Sequence, residues 1–363
     1  MTIPSDVRTK TDPIKHAWAI TDDVTRLRTW ASDRTYACPS EANELLVGTG
    51  HDCDVRVADE SGLLSRHHAK LVREDRTWIL HDVSKNGTRL DGTLLPRFAL
   101  DPGCLLGMGA STLVVESGRS IALRSLLARI LGWAHDRDED VDVALQAIRM
   151  AVTRRTSLLL CSESDPVAIA HQIHRVAMGS DRPFVSCDPK RKSTSESVRW
   201  VRNFETGAEA VAAARGGTMC VWASRLPRDF SAVRCALLDP ETRVQLVVCA
   251  TRPSKALAGE FHLLPPITVP SLSTRTKDLD LIVEEYADDA RKALGADREH
   301  FRHADRAWVV ANAANTLSEI ETATSRIVAL RRFGNMNRAA DALEMAHVSL
   351  SRWIMRRGVP WRS

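Results

Sequence analysis

SRHHA (Ser65–Ala69) and DVSKNGT (Asp82–Thr88), followed by DPGCLLGMG (Asp101–Gly109), fix the reading of the first third of this chain. All three are turn-rich segments set among short apolar or alternating runs: LLVGTG, VRVAD, HAKLVRED, TWILHDV, TRLDGTLL and STLVVES. Runs of this kind, broken by turn signals every eight to twelve positions, predict a β-sandwich over residues 45–117. No long helical periodicity interrupts them. The three segments therefore belong on or beside the loops of an all-β domain, where exposed polar groups meet ligands.

At their spacing these segments resemble the forkhead-associated (FHA) phosphopeptide-binding domain. The resemblance implies that Ser65 and Arg66 lie on one binding loop and Lys85 and Asn86 on another, with Ser65 contacting phosphate and Asn86 hydrogen-bonding the ligand backbone. It also implies that His68 packs and hydrogen-bonds beneath the loop, and that Gly87 supplies a positive φ. The chain departs from the family pattern twice. Gly48-Thr49 stands where the family has Gly-Arg, whose guanidinium grips phosphate in a forked pair. Lys85 stands where Thr or Ser is common, and either Lys85 or Arg66 can reach a phosphate as a replacement cation.

Beyond residue 118, IALRSLLARILGWA and VDVALQAIRMAV repeat apolar residues at helical spacing around the polar break HDRDED (His135–Asp140). They predict a helical connector whose second helix begins the next domain. There the strands SLLLC, TMCVWA and VQLVVCA alternate with helices such as VAIAHQIHRVAM, the pattern of a parallel α/β sheet. Ile173-His174, RPFVSC (Arg182–Cys187), ARGGTMCVW (Ala214–Trp222), RVQLVVCATRP (Arg243–Pro253) and ITVPSLSTRTKDL (Ile267–Leu279) resemble, in order, the AAA+ domain of sigma-54-dependent transcription activators. An active member wraps the triphosphate with a Gly-rich loop ending in lysine. Here the corresponding stretch is CSESDPV (Cys161–Val167), with Glu163, Asp165 and Pro166 and neither glycine nor lysine. Trp222-Ala223 replaces the Asp-Glu pair that holds Mg²⁺ and activates water. NFETGAEA (Asn203–Ala210) shares only a fragment of a GAFTGA-type loop, and Ser318 stands at the position of the family's nucleotide-sensing arginine. The resemblance implies a scaffold kept without its ATP chemistry.

The C-terminal segment NRAADALEMAHVSLSRWIMRRGV (Asn337–Val359) resembles the Fis-type helix-turn-helix that ends most sigma-54 activators. Ala340 is the small residue at the helix crossing, and Leu343, Met345, Leu350 and Trp353 fall at the packing positions. The second helix is expected from His347 to Arg357, presenting His347, Ser349, Ser351, Arg352, Arg356 and Arg357 as candidate DNA contacts. Glu344 occupies the turn position usually held by glycine, and Ala346 replaces the Ser or Thr that usually caps the second helix. Charge agrees with this reading. Residues 331–363 hold seven arginines and two acids, a net +5, against +4 for all 363 residues.

Composition sets outer bounds. Apolar residues make up 44% of the chain, and no apolar run approaches the ~18 residues of a membrane span. The N-terminus MTIPSDVRTKTDPIK lacks the apolar stretch of a signal peptide, so a cytoplasmic protein is expected. Eight singly scattered cysteines read as buried free thiols. The histidines lack partners at metal spacing, and Ser162 and Ser164 lack a nucleophile elbow.

The expected organisation is an N-terminal segment (1–30), an all-β FHA sandwich (31–118), a helical connector (119–157), a degenerate α/β AAA+-like core (158–275), a helical lid (276–318) and an all-α helix-turn-helix domain (319–363). Together the resemblances imply a transcriptional regulator rather than an enzyme, with no catalytic residues, metal or cofactor expected. Its expected partners are double-stranded DNA, a phosphothreonine protein such as a Ser/Thr kinase or its substrate, and a second copy of itself. The alternative is a phospho-dependent scaffold in kinase signalling that does not read DNA sequence.

Overall fold

The computed structural model describes residues 22–133, 137–191, 201–254 and 264–359. The N-terminal stretch MTIPSDVRTKTDPIK lies outside the described residues, as do His135 and Asp136 of the polar break. Among the described residues, no helix is long and apolar enough to cross a membrane.

Eleven strands build the sandwich: β1 (Val24–Thr29), β2 (Thr35–Ala37), β3 (Glu44–Gly48), β4 (Val55–Arg56), β5 (Ala69–Glu74), β6 (Thr77–Asp82), β7 (Thr88–Leu90), β8 (Thr93–Leu94), β9 (Arg97–Ala99), β10 (Leu105–Met108) and β11 (Ser111–Ser117). One sheet runs β2-β1-β11-β10-β7-β8 and the other β4-β3-β5-β6-β9. Inward residues of both sheets, among them Leu27, Val47, Leu71, Trp78, Leu80, Leu106 and Leu113, close a single core. The sheet begins earlier than the expected boundary at residue 31. β1 pairs antiparallel with β11 from Val24↔Ser117 to Thr29↔Leu113.

Ser117 ends β11 and caps α1 (Gly118–Leu131) in a reciprocal capping box with Ser120. α2 (Asp138–Arg154) opens with three acids that suit the positive end of the helix dipole. The expected connector is thus part of the next unit. Leu127 and Ile130 of α1 and Val141 and Ile148 of α2 enter the same core as the α/β sheet.

That sheet contains β12 (Leu158–Ser162), β13 (Phe184–Cys187), β14 (Arg202–Phe204), β15 (Thr218–Trp222), β16 (Gln245–Ala250) and β17 (Ile267–Val269) in the order β14-β13-β15-β16-β12-β17. Every pairing is parallel. β12 and β16 are buried along their whole length, as a sheet covered on both faces requires. α3 (Pro166–Met178), α4 (Gly207–Ala213) and α5 (Phe230–Leu238) supply crossovers. α6 (Leu279–Leu294), α7 (His303–Asn312) and α8 (Leu317–Phe333) follow. Most of the expected NFETGAEA loop is secondary structure, since Asn203 and Phe204 lie in β14 and Gly207 opens α4.

The last two helices are α9 (Met336–Ala342) and α10 (His347–Arg357). α8 belongs to both neighbouring cores, so the expected boundary at residue 319 falls within a continuous helix. Ile320 and Ile327 join the large core, whereas Ala329 and Leu330 pack with Ala339, Ala340 and Leu350.

The sandwich is bolted to α2. Buried Arg28 donates from Nε to Glu116 (2.7 Å) and from its terminal nitrogens to both carboxylate oxygens of buried Asp142. Arg149 of α2 forms a forked pair with Asp91 on the sandwich, both bonds at 2.8 Å. A cavity of about 60 Å³, lined by Val115, Leu123, Ile148 and Val152 among others, lies between the two parts.

Candidate functional sites

The loop pair of the sandwich is built from close backbone contacts. A side chain at Gly48 would place Cβ 2.0 Å from the Arg66 carbonyl oxygen, so the two loops approach closely enough to require glycine there. Thr49 N–H donates to Ser65 O (3.2 Å) and Gly50 N–H to Arg66 O (2.9 Å). Ser65 N–H donates to Nδ1 of His68 (3.2 Å), which fixes the buried imidazole as an acceptor at that nitrogen. Burial pushes the His68 pKa down against the opposing pull of Asp82, favouring that neutral form.

The second loop is laced internally. Asp82 accepts from the hydroxyls of Ser84 (2.8 Å) and Thr88 (2.9 Å), and Ser84 Oγ accepts from Gly87 N–H (2.7 Å). Gly87 has φ +78°, and a Cβ there would meet Leu94 Cδ1 at 2.4 Å. Lys85 N–H donates to Ser65 Oγ (3.3 Å), which joins the two loops. The structure therefore brings Ser65, Arg66, Lys85 and Asn86 to one end of the sandwich, with Arg66, Lys85 and Asn86 exposed and Ser65 half-buried. Asn86 already uses its amide Nδ2 to hold Leu63 O (2.8 Å), which leaves its Oδ1 as the side-chain group for a ligand. Next to Arg66, His67 pairs with Asp52 at 2.7 Å, a bond between residues that no sequence motif had linked.

This loop geometry agrees with a match to the FHA domain family model over residues 45–109. Residues 45–109 are an FHA domain. Similar solved structures include EmbR of Mycobacterium tuberculosis in complex with a low-affinity phosphopeptide, 25% identical with a TM-score of 0.24, covering 26% of this chain and 24% of that one. The N-terminal FHA domain of Rad53p from S. cerevisiae, in complex with a phosphothreonine peptide, is 20% identical with a TM-score of 0.24 and covers 27% of this chain and 96% of that one. The FHA domain of the CT664 protein from Chlamydia trachomatis is 21% identical with a TM-score of 0.24, covering 26% and 97%. No curated protein matches the chain. The FHA domain occupies only part of the sequence, and the remaining sites rest on geometry alone.

In the α/β unit, β12 leads through Glu163–Asp165 into α3, whose first turn is capped by Asp165 accepting from Ala168 N–H (3.3 Å). A carboxylate thus occupies the helix N-terminus where anions are otherwise favoured. Glu163, after β12, pairs at 2.7 Å with Arg252, after the adjacent β16. The pair spans the carboxyl end of the sheet, where open parallel sheets bind ligands. Trp222 stacks under Arg225, 4.9 Å from the ring centre, and Arg225 reaches buried Asp188 at 2.8 Å.

At the C-terminus, α9 and α10 are joined by the turn Leu343–Ala346. Leu350 is fully buried beneath it, and Leu343, Met345 and Trp353 pack partly buried around it. Glu344 has φ +51°. Ala346 precedes α10 without a side-chain cap. His347, Ser349, Arg352 and Arg356 are exposed, and Ser351 is half-buried. Arg357 is placed differently from the expectation of an outward cation. Its guanidinium donates to Asn312 O (2.6 Å) and Glu319 (3.1 Å), tying α10 back to α7 and α8. Sequence spacing put it among the basic residues of the helix, but an acid 38 positions earlier holds it.

Proposed function

We propose that the chain is a DNA-binding transcriptional regulator whose FHA domain senses a phosphothreonine protein and whose α/β unit serves as an AAA+-like hub without ATPase chemistry. The observation that carries the sensing role is the Ser65–Lys85 junction, which sets a hydroxyl beside the exposed cations Arg66 and Lys85. A dianionic phosphate takes several charge-assisted hydrogen bonds from such a group, and a neutral threonine does not. The FHA match makes phosphothreonine peptides the first ligand class to test here.

Support for a hub without nucleotide comes from the carboxylate cap of α3 and the Glu163–Arg252 pair, both of which oppose a triphosphate at that edge. Support for DNA reading comes from the short second helix with its exposed His347, Arg352 and Arg356. Two copies are expected to act together, because one such helix reads only a few base pairs. Recovering genomic DNA bound to the full chain, and to a chain lacking residues 331–363, tests the assignment. Equal recovery of the same fragments by both would move the protein to the scaffold class.

A further inference from the structure

The amino edge of the α/β sheet carries a row of arginines. β13, β15, β16 and β12 are consecutive parallel neighbours, so the loops entering them emerge side by side. Hydrogen bonds lace these loops together. Thr218 N–H donates to Pro183 O (2.9 Å), Gln245 N–H to Gly217 O (2.9 Å), and the Gln245 amide to Thr156 O (3.0 Å). Arg182 precedes β13, Arg215 precedes β15, Arg243 precedes β16, and Arg154 and Arg155 precede β12. All five are exposed. With neighbouring strands about 4.8 Å apart, the row spans roughly 15 Å, comparable to several successive phosphates of a duplex.

Acidic groups at this edge pair only loosely with two of the guanidinium groups, in exposed ion pairs. Asp181 stands 4.0 Å from Arg182 and Glu241 3.8 Å from Arg243, beyond hydrogen-bond distance, and Asp239 is engaged by Glu241 N–H. Four helices also end near here, and a cation at a helix C-terminus offsets its dipole. That accounts for Arg154, in the last turn of α2. Arg155 and Arg243 are the left-handed C-caps of α2 and of the short helical turn Pro240–Thr242, at φ 52° and 48°. Glycine closes such positions without strain, so a long cation there presents its charge at a backbone cost.

We propose that this arginine row holds the phosphate backbone of double-stranded DNA. The proposal rests on the DNA-binding reading above and assigns the hub a share of that binding. It is tested with the full chain and a duplex selected by it from a random pool, measuring affinity across a salt series. Joint replacement Arg182→Gln, Arg215→Gln and Arg243→Gln should lower the salt slope by about 3, roughly one unit for each phosphate no longer neutralised. Affinity for selected and random duplexes should fall by the same factor, on the order of 10- to 100-fold at low salt. Arg352→Ala should instead reduce discrimination between them.

An unchanged slope in the triple variant, with the starting protein still binding DNA, overturns the proposal and spares the DNA reading. Failure of the starting protein to select any duplex overturns both. Arg155→Gly with Arg243→Gly separates charge from folding, because glycine suits both backbone positions. DNA affinity should drop while the melting temperature holds or rises. A lower melting temperature with unchanged salt slope would assign the arginines to helix ends. Loss of sedimentation with phosphatidylserine vesicles, without loss of DNA binding, would assign the edge to an acidic membrane surface instead.

Discussion

Arg28 on β1 and Asp142 on α2, 114 positions apart, form a buried two-pronged ion pair that joins the FHA sandwich to the α/β unit. The favoured charged state of Arg28 is maintained against burial by its bonds to Asp142 and Glu116, which hold its pKa above the ordinary value. Removing Asp142 takes the carboxylate from both terminal nitrogens of buried Arg28 and leaves its charge balanced by Glu116 alone, a residue Arg26 also engages. Asp142→Ala is therefore expected to destabilise the chain by about 3–5 kcal/mol, measurable by denaturant unfolding. A loss under about 1 kcal/mol would show that water reaches the junction.

The Ser65 and Lys85 loops lie at the other end of the sandwich from this junction, since Lys85 and Gly87 precede β7 whereas Asp91, tied to Arg149, follows it. Ser65→Ala and Arg66→Ala are each expected to weaken a phosphothreonine peptide by about 1.5–3 kcal/mol, the scale of a hydrogen bond to a charged group. Asn86→Ala should weaken it too, through the missing bond to the ligand and through release of Leu63 O. Calorimetry with matched phosphorylated and unphosphorylated peptides checks this. Equal affinity for both forms would leave the FHA domain as a contact module.

Acid should loosen the α/β unit. Burial lowers the His171 pKa to about 4, with Arg175 and His174 adding to the shift. Its ring packs against Phe184, 4.8 Å between centres. The folded state therefore refuses a proton that the unfolded chain accepts below about pH 6.5, so stability is full above that value and falls as pH drops. Between pH 7 and pH 5 this group alone accounts for a loss of about 2 kcal/mol, and His174, whose pKa is also lowered by burial, adds in the same direction. His171→Phe should flatten the pH dependence of thermal unfolding. An unchanged slope in that variant would place the sensitivity elsewhere.

What the sequence made legible was local. The FHA resemblance marked Gly87, whose φ is +78° and whose missing β-carbon leaves room for Leu94. The helix-turn-helix resemblance put a helix at about His347–Arg357, and α10 spans those residues. What it concealed depended on contacts between distant residues. β1 is a short run before the expected domain start and is recruited only because β11 offers an edge. Arg357 looked like one more basic residue on a helix, yet Glu319 claims it. Likewise the arginines of the sheet's amino edge are scattered from 154 to 243 and become neighbours only through strand order.

The turn between α9 and α10 carries two local costs that substitution should relieve. Glu344 adopts φ +51°, where a β-carbon crowds the following carbonyl and glycine does not. Ala346 has the extended conformation of an N-cap, φ −66° and ψ 133°, but no side-chain oxygen to satisfy the first amides of α10. Glu344→Gly is expected to stabilise the α8–α10 unit by about 1 kcal/mol after allowing for the extra freedom of glycine in the unfolded chain. Ala346→Ser should add about 1 kcal/mol by supplying the missing cap. Neither residue belongs to the proposed set of DNA contacts, so protection of α10 amides from hydrogen exchange should rise while discrimination among duplexes stays the same. If Ala346→Ser raises neither protection nor melting temperature, the first turn of α10 is being satisfied in another way. If Glu344→Gly lowers stability, the glutamate side chain makes a contribution that outweighs its backbone strain.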